Sequence, residues 1–265
     1  MTETATSESL ADGRVLIERA GPVTTVIINR PQARNALDNA AAAALTRAFR
    51  AFEADESQRV AVLTGAGGAF CAGADLKEMS HGADYVAWAG HPDGPTHPTL
   101  TKPVIAAVEG HACAGGLGLA LWCDIRIADE SAVFGVFSRR WGVPMSDGTT
   151  VRLPRLIGMG RALDMLISGR AVPAEEALAW GLCTRVVPRG SARAAAEELA
   201  RQVAEFPQIA MRSDRRSAYE QAGRELSQAI ARETELAEEA KRREAQSGAA
   251  RFAAGAGRHG SFRDE

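Results

Sequence analysis

Short β-branched runs occupy the first half of this chain and helical repeats occupy the second half. Residues 15–19 and 23–29 are two such runs, and the Gly21-Pro22 pair between them predicts a hairpin. Further short apolar runs are typical of buried parallel strands; they lie at residues 60–64, 104–108 and 124–128.

Helical patterns begin with an Ala-rich segment that Asp38 can cap and that extends to about residue 54. Apolar residues then recur with helical spacing through much of the remaining chain. The predicted helices cover residues 148–157, 160–168, 174–180, 191–205, 207–221 and 225–244. Strands that alternate with helices predict an α/β fold, here followed by an almost wholly helical C-terminus.

The two segments without regular periodicity are the N-terminus and residues 80–98. Residues 1–12 are acidic and polar and contain no apolar signal segment, so we expect a disordered start over residues 1–14 and a cytoplasmic protein. Residues 80–98 are rich in His, Pro and Gly, which predicts a long surface loop or lid.

The charge balance excludes some classes of partner. The formal net charge is −2 and the pI is about 6.3, so neither nucleic acid nor an anionic membrane is expected to bind. The four cysteines, Cys71, Cys113, Cys123 and Cys183, have neither zinc-cluster nor disulfide-framework spacing and are expected to be reduced thiols, with Cys71 and Cys113 as small apolar filler. His81, His91 and His97 also lack regular ligand spacing, so we expect no metal site.

The most informative features are two turns of small residues, each after an apolar run. Residues 70–79 read FCAGADLKEM and residues 110–118 read GHACAGGLG. Small side chains allow a ligand to approach the main chain closely, and two backbone N–H groups directed at one point can stabilise an oxyanion. The alternative is that both are ordinary Gly/Ala turns after strands.

Together, these two turns resemble the halves of the oxyanion hole in the enoyl-CoA hydratase/isomerase (crotonase) family. The resemblance extends over about residues 15–252 and includes the less specific segments 29–37, 153–162 and 175–182. It implies a crotonase (ClpP-like) spiral of ββα units over residues 15–200, with a helical region over residues 201–265 in the same functional domain. The implied oxyanion donors are the N–H groups of Ala74 and Gly115.

The resemblance also implies an acyl-CoA substrate and no separate cofactor, because coenzyme A enters as part of the thioester. The implied coenzyme A site consists of Arg34, Ala72, Asp75, Leu76 and Lys77. Asp75 and Leu76 would contribute mostly main chain, whereas Arg34 and Lys77 offer cations to phosphates. Lys77 alternatively pairs with Glu78 or Asp75. The C-terminal helices imply a homotrimer or a hexamer.

The chain departs from the family at its acid/base positions. Family hydratases use two glutamates, which correspond here to Gly118 and Ser138. Because hydration needs a base for water and an acid for the α-carbon, we expect a hydratase/isomerase-like enzyme with weak ordinary hydratase activity. The alternative is a catalytically inactive acyl-CoA-binding protein that acts as a sensor or a scaffold.

Asp147 is the nearest candidate to replace a missing glutamate. Some relatives, such as dienoyl-CoA isomerases, have a catalytic aspartate in this turn, but at the position of Ser146. Asp147 precedes Gly148 and Thr149, so it is also a natural helix cap, and the two roles are compatible.

Other residues near these positions are candidates for the substrate pocket. His111, Gly118, Ser138 and Trp141 are the proposed lining residues, although His111 alternatively packs structurally and Trp141 alternatively belongs to the core. Two further motifs fail: residues 65–70 have Phe70 where a dinucleotide fingerprint needs glycine, and residues 144–148 have Pro144 where a nucleophile elbow needs glycine.

Overall fold

The computed structural model describes residues 6–82, 86, 88, 90–96 and 100–257. The chain divides into two compact units, one up to Ala204 and one from Glu205. None of the helices in these described ranges is long and apolar enough to cross a membrane.

The first unit is built on a seven-stranded sheet with the order β1-β2-β3-β4-β5-β7-β10. The strands are β1 (Thr6–Leu10), β2 (Val15–Ala20), β3 (Val23–Ile28), β4 (Val60–Gly65), β5 (Val104–Val108), β7 (Ile125–Asp129) and β10 (Arg185–Val187). β1, β2 and β3 pair antiparallel, whereas all pairs from β3 to β10 are parallel. The sheet therefore brings the C-terminal ends of β4 and β5 to the same edge.

A smaller, three-stranded sheet with the order β6-β8-β9 extends from this edge. It consists of β6 (His111–Cys113), β8 (Val133–Gly135) and β9 (Ala171–Pro173). β6 and β8 are parallel, and β9 is antiparallel to β8.

The helices of the first unit cover both faces of the large sheet. They are α1 (Asn39–Ala54), α2 (Leu76–Ser80), α3 (Gly115–Trp122), α4 (Thr149–Ile157), α5 (Met159–Ser168), α6 (Ala174–Ala179) and α7 (Ala192–Glu205). Asp38 caps α1 by accepting a hydrogen bond from Ala41 N, as its sequence position predicts.

Two hydrophobic clusters show how the parallel strands are buried. Because side chains alternate between faces, Val60 and Val62 join one cluster while Ala61 and Leu63 join the other. α7 packs into the first of these clusters through alanines spaced four residues apart, which allow the helix to approach the sheet closely. These are Ala192, Ala196, Ala200 and Ala204.

The second unit contains three α-helices, α8 (Gln208–Glu220), α9 (Leu226–Ala240) and α10 (Gln246–Ala253), with a π turn at Lys241–Ala245. The Glu244 carboxylate accepts hydrogen bonds from Ile209 N and Ala210 N at 3.1 and 2.8 Å. A carboxylate at the N-terminus of α8 satisfies donors that the helix leaves unpaired.

The structure corrects the prediction of disorder over residues 1–14. Thr6–Leu10 forms strand β1, which pairs with β2 along its full length, whereas residues 1–5 lie outside the described ranges. This strand has no apolar alternation because it is an exposed edge strand. The predicted loop over residues 80–98 begins at the last residue of α2, and part of it lies outside the described ranges.

Arg126 on β7 fixes the C-terminal end of α3 from within the core. Its guanidinium donates to the carbonyl oxygens of Cys123 and Leu182, both at 2.7 Å, and to Ala120 O at 3.2 Å. A cation at a helix C-terminus satisfies orphan carbonyls and complements the helix dipole. Arg126 is therefore expected to hold α3, whose first residue is Gly115.

We expect Arg126→Met to lower the free energy of unfolding by about 3 kcal/mol or more, because it leaves buried carbonyls unpaired. For a chain of this size that corresponds to a melting temperature lower by about 6–12 °C. Arg185→Met is the matched control, because Arg185 is exposed on the neighbouring strand β10. Calorimetry that gives the same melting temperature for both variants would contradict this role.

Candidate active site

The two turns lie side by side, joined by main-chain hydrogen bonds. Cys71 N donates to His111 O at 2.8 Å, and Cys113 N donates to Cys71 O at 2.9 Å. Leu37 N donates to Gly73 O at 2.7 Å, and Asp75 N donates to Leu37 O at 2.9 Å. These bonds fix the chain on both sides of Ala74, whose own N–H takes no part in them.

Ala114 and the start of α3 direct the second N–H group. Ala114 has φ 49° and ψ −123°, a conformation that costs a non-glycine residue free energy and clusters at functional sites. Gly115 is the first residue of α3, so its N–H has no partner within the helix and lies at the positive end of the helix dipole.

The approach of the two turns requires glycine at position 73. A Cβ at Gly73, which has φ +99°, would lie 2.9 Å from both Gly115 N and Ala114 Cβ. Throughout the described residues, neither Ala74 N nor Gly115 N donates to a protein acceptor. The structure thus brings together two unpaired backbone donors at one place.

Both donors border a cavity of about 430 Å³. Its described lining is mostly apolar and aromatic, with few polar groups. The lining residues are Arg34, Ala72, Ala74, Leu76, Met79, Trp88, His111, Cys113, Ala114, Gly115, Phe137, Ser138, Trp141, Gly142, Val143, Pro144, Met145, Ser146 and Asp147. Such a site fits an organic ligand with one polar group held at fixed donors.

A partly buried ion network holds the first turn in place. Arg30 Nη2 lies 2.9 Å from Asp75 Oδ2 and 3.0 Å from Asp38 Oδ2, and Arg30 Nη1 donates to Ala36 O. Asp75 Oδ1 also accepts from Lys77 N and caps α2. Burial opposes the charge on Asp75, but these hydrogen bonds outweigh it and lower the pKa of its carboxyl group.

The five residues predicted for a coenzyme A site are not all at the cavity. Arg34, Ala72 and Leu76 line it, and the Arg34 side chain is exposed at its edge. The Asp75 side chain faces Arg30 instead, and Asp75 is absent from the described lining. Lys77 is exposed on α2 and is absent from the described lining.

Gly118 and Ser138, the positions that the resemblance aligns with the hydratase glutamates, differ in their surroundings. Ser138 lines the cavity, and its hydroxyl donates to Met145 Sδ at 3.3 Å. Gly118 was predicted to line the pocket, but this prediction is wrong, because the Asp147 carboxylate covers it. A Cβ at Gly118 would lie 2.2 Å from Asp147 Oδ2.

Asp147 is 3% exposed and lies one residue before Gly148, the N-cap residue of α4. Its Oδ1 accepts a hydrogen bond from Thr149 N at 2.9 Å, in the first turn of α4. Burial raises the pKa of Asp147, and hydrogen bonds from Thr149 and the charge of Arg152 oppose this in part.

The remaining candidates also have defined positions. His111 lines the cavity through β6. Trp141 is 70% exposed at the cavity, so its alternative prediction as a core residue is wrong.

Burial raises the pKa of the Cys71 and Cys113 thiols to about 12, so both thiols are neutral. Cys113 nevertheless lines the cavity. His97 lies outside the described residues, and His81 and His91 are exposed.

Several lining residues were missed by the sequence analysis. Trp88, Phe137 and Met145 surround the donors, and the Trp88 ring lies against Gly115. Phe137 is next to Ser138 in the sequence, so its position beside a predicted pocket residue could have identified it. Trp88 lies in a segment without periodicity, and no pattern linked it to the site.

The chain matches a known protein family and several known proteins. A family model described as enoyl-CoA hydratase/isomerase matches residues 18–257. The chain is 40% identical over 223 residues to the enoyl-CoA hydratase EchA19 of Mycobacterium tuberculosis, covering 82% of this chain and 83% of that protein. It is 36% identical over 208 residues to the (E)-benzylidenesuccinyl-CoA hydratase of Thauera aromatica, covering 77% and 81%.

The fold agrees with these sequence relationships. The crystal structure of the enoyl-CoA hydratase EchA1 from Mycobacterium marinum superposes with a TM-score of 0.86 at 33% identity, covering 91% of this chain and 96% of that chain. The predicted crotonase fold is therefore confirmed, as is an acyl-CoA enzyme of the hydratase/isomerase kind. This protein belongs to the enoyl-CoA hydratase/isomerase (crotonase) family.

Proposed function

We propose that this protein binds a coenzyme A thioester with its carbonyl oxygen between the N–H groups of Ala74 and Gly115 and stabilises the enolate formed from it. The supporting observation is the contact of Gly73 with Gly115, which holds two unpaired donors at one cavity. Donors fixed before reaction need no reorganisation as negative charge develops on oxygen.

The coenzyme A portion extends along the first turn. Ala72 and Leu76 provide a small and an apolar surface at the cavity, and Arg34 provides an exposed cation for a phosphate. Lys77 remains a second candidate cation, on the exposed side of α2. The apolar and aromatic lining around Phe137 and Met145 favours an apolar acyl group.

Ordinary two-glutamate hydration does not fit the site. Gly118 has no side chain, and the Ser138 hydroxyl donates to Met145. No described lining residue other than Asp147 carries a carboxyl group. The reaction class that remains is proton transfer next to the thioester carbonyl, which the enolate-stabilising donors serve directly.

Gly73→Ala tests the donor arrangement, because its Cβ would displace Gly115 N. We expect turnover to fall about 10²–10³-fold, as for loss of one oxyanion donor. We also expect the affinity for a thioester to fall about three- to tenfold. Affinity for the matching thioether, which has no carbonyl oxygen, should stay unchanged; calorimetric titration of both ligands measures this.

Gly68→Ala is the matched control for this variant. Gly68 also has a positive φ, +74°, but a Cβ there would meet nothing within 4 Å. The backbone strain is thus similar, about 1–2 kcal/mol, without displacement of a donor. Equal effects of the two substitutions on thioester binding would refute the proposed oxyanion hole.

The missing glutamates give a second prediction. Crotonyl-CoA hydration should be slower than in a two-glutamate relative by roughly three or more orders of magnitude, at about two orders per missing group without full additivity. Loss of absorbance of the conjugated thioester measures the rate. Hydration at the relative's rate would refute the prediction. A panel of enoyl, dienoyl, hydroxyacyl and malonyl thioesters tests the alternative function. Binding without turnover of any of them would favour the inactive acyl-CoA-binding protein.

A homo-oligomer, trimer or hexamer, also belongs to this proposal. On α5, Met159, Leu163 and Ile167 form an exposed apolar stripe at intervals of four residues, with Ile167 72% exposed. The second unit separately exposes Leu226 and Phe252. Exposed apolar surface of this extent is typical of protein interfaces.

Light scattering at micromolar concentration should give the mass of a trimer or a hexamer. Ile167→Glu should reduce this mass, because it places a charge in the apolar stripe. Ala43→Glu, which adds the same charge on an exposed position of α1, should not. A monomer mass for the unsubstituted protein would contradict the proposal.

A further inference from the structure

The indole ring of Trp88 packs directly against the backbone of the second oxyanion donor. A Cβ at Gly115 would lie 2.7 Å from Trp88 Cη2 and 2.9 Å from Trp88 Cζ2, closer than real Cβ atoms approach. The edge of the ring therefore needs glycine at position 115. Because Trp88 also lines the cavity, it borders the space next to a carbonyl group held by Gly115 N.

The chain that follows Trp88 is fixed to the opposite side of the cavity. Gly90 has φ +79°, and a Cβ there would collide with Ser146 O. Arg152 Nη2, on α4, donates a hydrogen bond to Thr96 O at 3.1 Å. Since Ser146 lines the cavity and directly precedes the turn into α4, these contacts hold the segment of Trp88 against the cavity wall.

A second aromatic ring reaches the same donor from the smaller sheet. Gly135 ends β8, and its carbonyl oxygen accepts a hydrogen bond from Ala114 N at 2.9 Å. The Phe137 ring folds back onto this glycine, because a Cβ at Gly135 would collide with Phe137 Cε1. Phe137 also lines the cavity, so two glycines seat two rings beside the Ala114–Gly115 segment.

The rest of this wall has the same character. Trp141 and Met145 line the cavity beside Phe137. Aromatic rings attract one another edge to face or offset, beyond the effect of their buried area, and thioether sulfur makes favourable contacts with ring edges. The wall thus offers more to an aromatic ligand than to a saturated one.

The Trp88 N–H group indicates that packing alone does not account for an indole at this position. Trp88 is 4% exposed, and its Nε1 donates to no acceptor within the part of the chain that the structure describes. A buried donor without a partner is destabilising, and an aliphatic or phenyl side chain would fill the space without that cost. The aromatic surface of the ring is then the property that the site uses.

We infer that Trp88 and Phe137 determine the acyl specificity of this site and that its substrates are coenzyme A thioesters whose acyl group carries an aromatic ring. This inference rests on the proposed oxyanion hole, because a thioester oxygen at Gly115 N brings the acyl group to the Trp88 ring. The aryl group packs against both rings in the apolar part of the cavity.

Two saturated-chain ligands of nearly equal size test the inference. They are 3-phenylpropanoyl-CoA and 3-cyclohexylpropanoyl-CoA, which differ only in the aromaticity of the ring. Neither has a double bond in the acyl chain, so binding is measured without hydration. Calorimetric titration should give about three- to tenfold tighter binding of the phenyl ligand, as expected for one aromatic contact pair.

Trp88→Leu should bring the two affinities to within about twofold of each other, because it removes that contact. Phe137→Leu should also lower the ratio. Trp180→Leu is the matched control, because Trp180 stacks with Arg161 and Arg170 and is absent from the described lining. It should keep the ratio of the unsubstituted protein. Since both ligands are compared on one variant, a general loss of stability does not change the ratio.

Gly115→Ala moves the Trp88 ring without removing it. The backbone N–H stays, but the new Cβ displaces the edge of the indole, so the preference for the phenyl ligand should fall. Gly160→Ala is its control, because Gly160 lies in helix α5 where a Cβ would meet nothing within 4 Å. This control should keep the preference.

The outcomes separate this inference from the proposed function. If neither ligand binds at millimolar concentration, both the proposed function and the inference are wrong. If both ligands bind with equal affinity, if the cyclohexyl ligand binds more tightly, or if the preference persists in Trp88→Leu, the inference alone is overturned. The comparison of thioester with thioether then still tests the two backbone donors.

Discussion

The contact between the main chains at Gly73 and Gly115 is the constraint on which the rest of the site depends. Hydrogen bonds between the Cys71 and His111–Cys113 segments bring the two turns together, and a glycine at 73 allows the final approach. The donors are therefore placed by backbone geometry rather than by side chains. The main chain alone can therefore hold the two donors at one cavity.

Buried and partly buried charges lie near this arrangement in two different settings. Arg30 stabilises the ionised carboxylates of Asp38 and Asp75 and so fixes the first turn, at the cost of desolvating all three groups. Asp147 is buried without such a cation on its carboxylate oxygens in the described ion pairs, and its pKa is raised instead. The first kind of charge is suited to holding structure, whereas the second is suited to exchanging a proton.

Helices and strands with a clear pattern of apolar residues were predicted from the sequence, with bounds correct to within a few residues. Five of the six strands with five or six residues, β2, β3, β4, β5 and β7, and most helices are examples, because each carries an apolar run or a helical repeat. The three-residue strands β6, β8, β9 and β10 are too short to carry a period. Helix α3 was missed because nearly all of its eight residues are buried, so no polar face marks it.

The site was predictable where its signal is local. The two runs of small residues indicated the turns at Ala74 and Gly115, and the structure places them side by side. The pairs Gly118 with Asp147 and Arg30 with Asp75 join distant parts of the chain, and neither residue of a pair identifies its partner. Only the three-dimensional structure therefore shows that the Asp147 carboxylate occupies the space of a side chain at position 118.

The most direct test of two fixed backbone donors is the infrared carbonyl stretch of a ¹³C-labelled acyl-CoA thioester bound to the protein. Two hydrogen bonds to the thioester oxygen weaken its C=O bond, so we expect a shift to lower frequency on binding, with a smaller shift in Gly73→Ala and an unchanged one in Gly68→Ala. A bound thioester whose carbonyl frequency equals that of the free thioester in water would refute the two fixed donors.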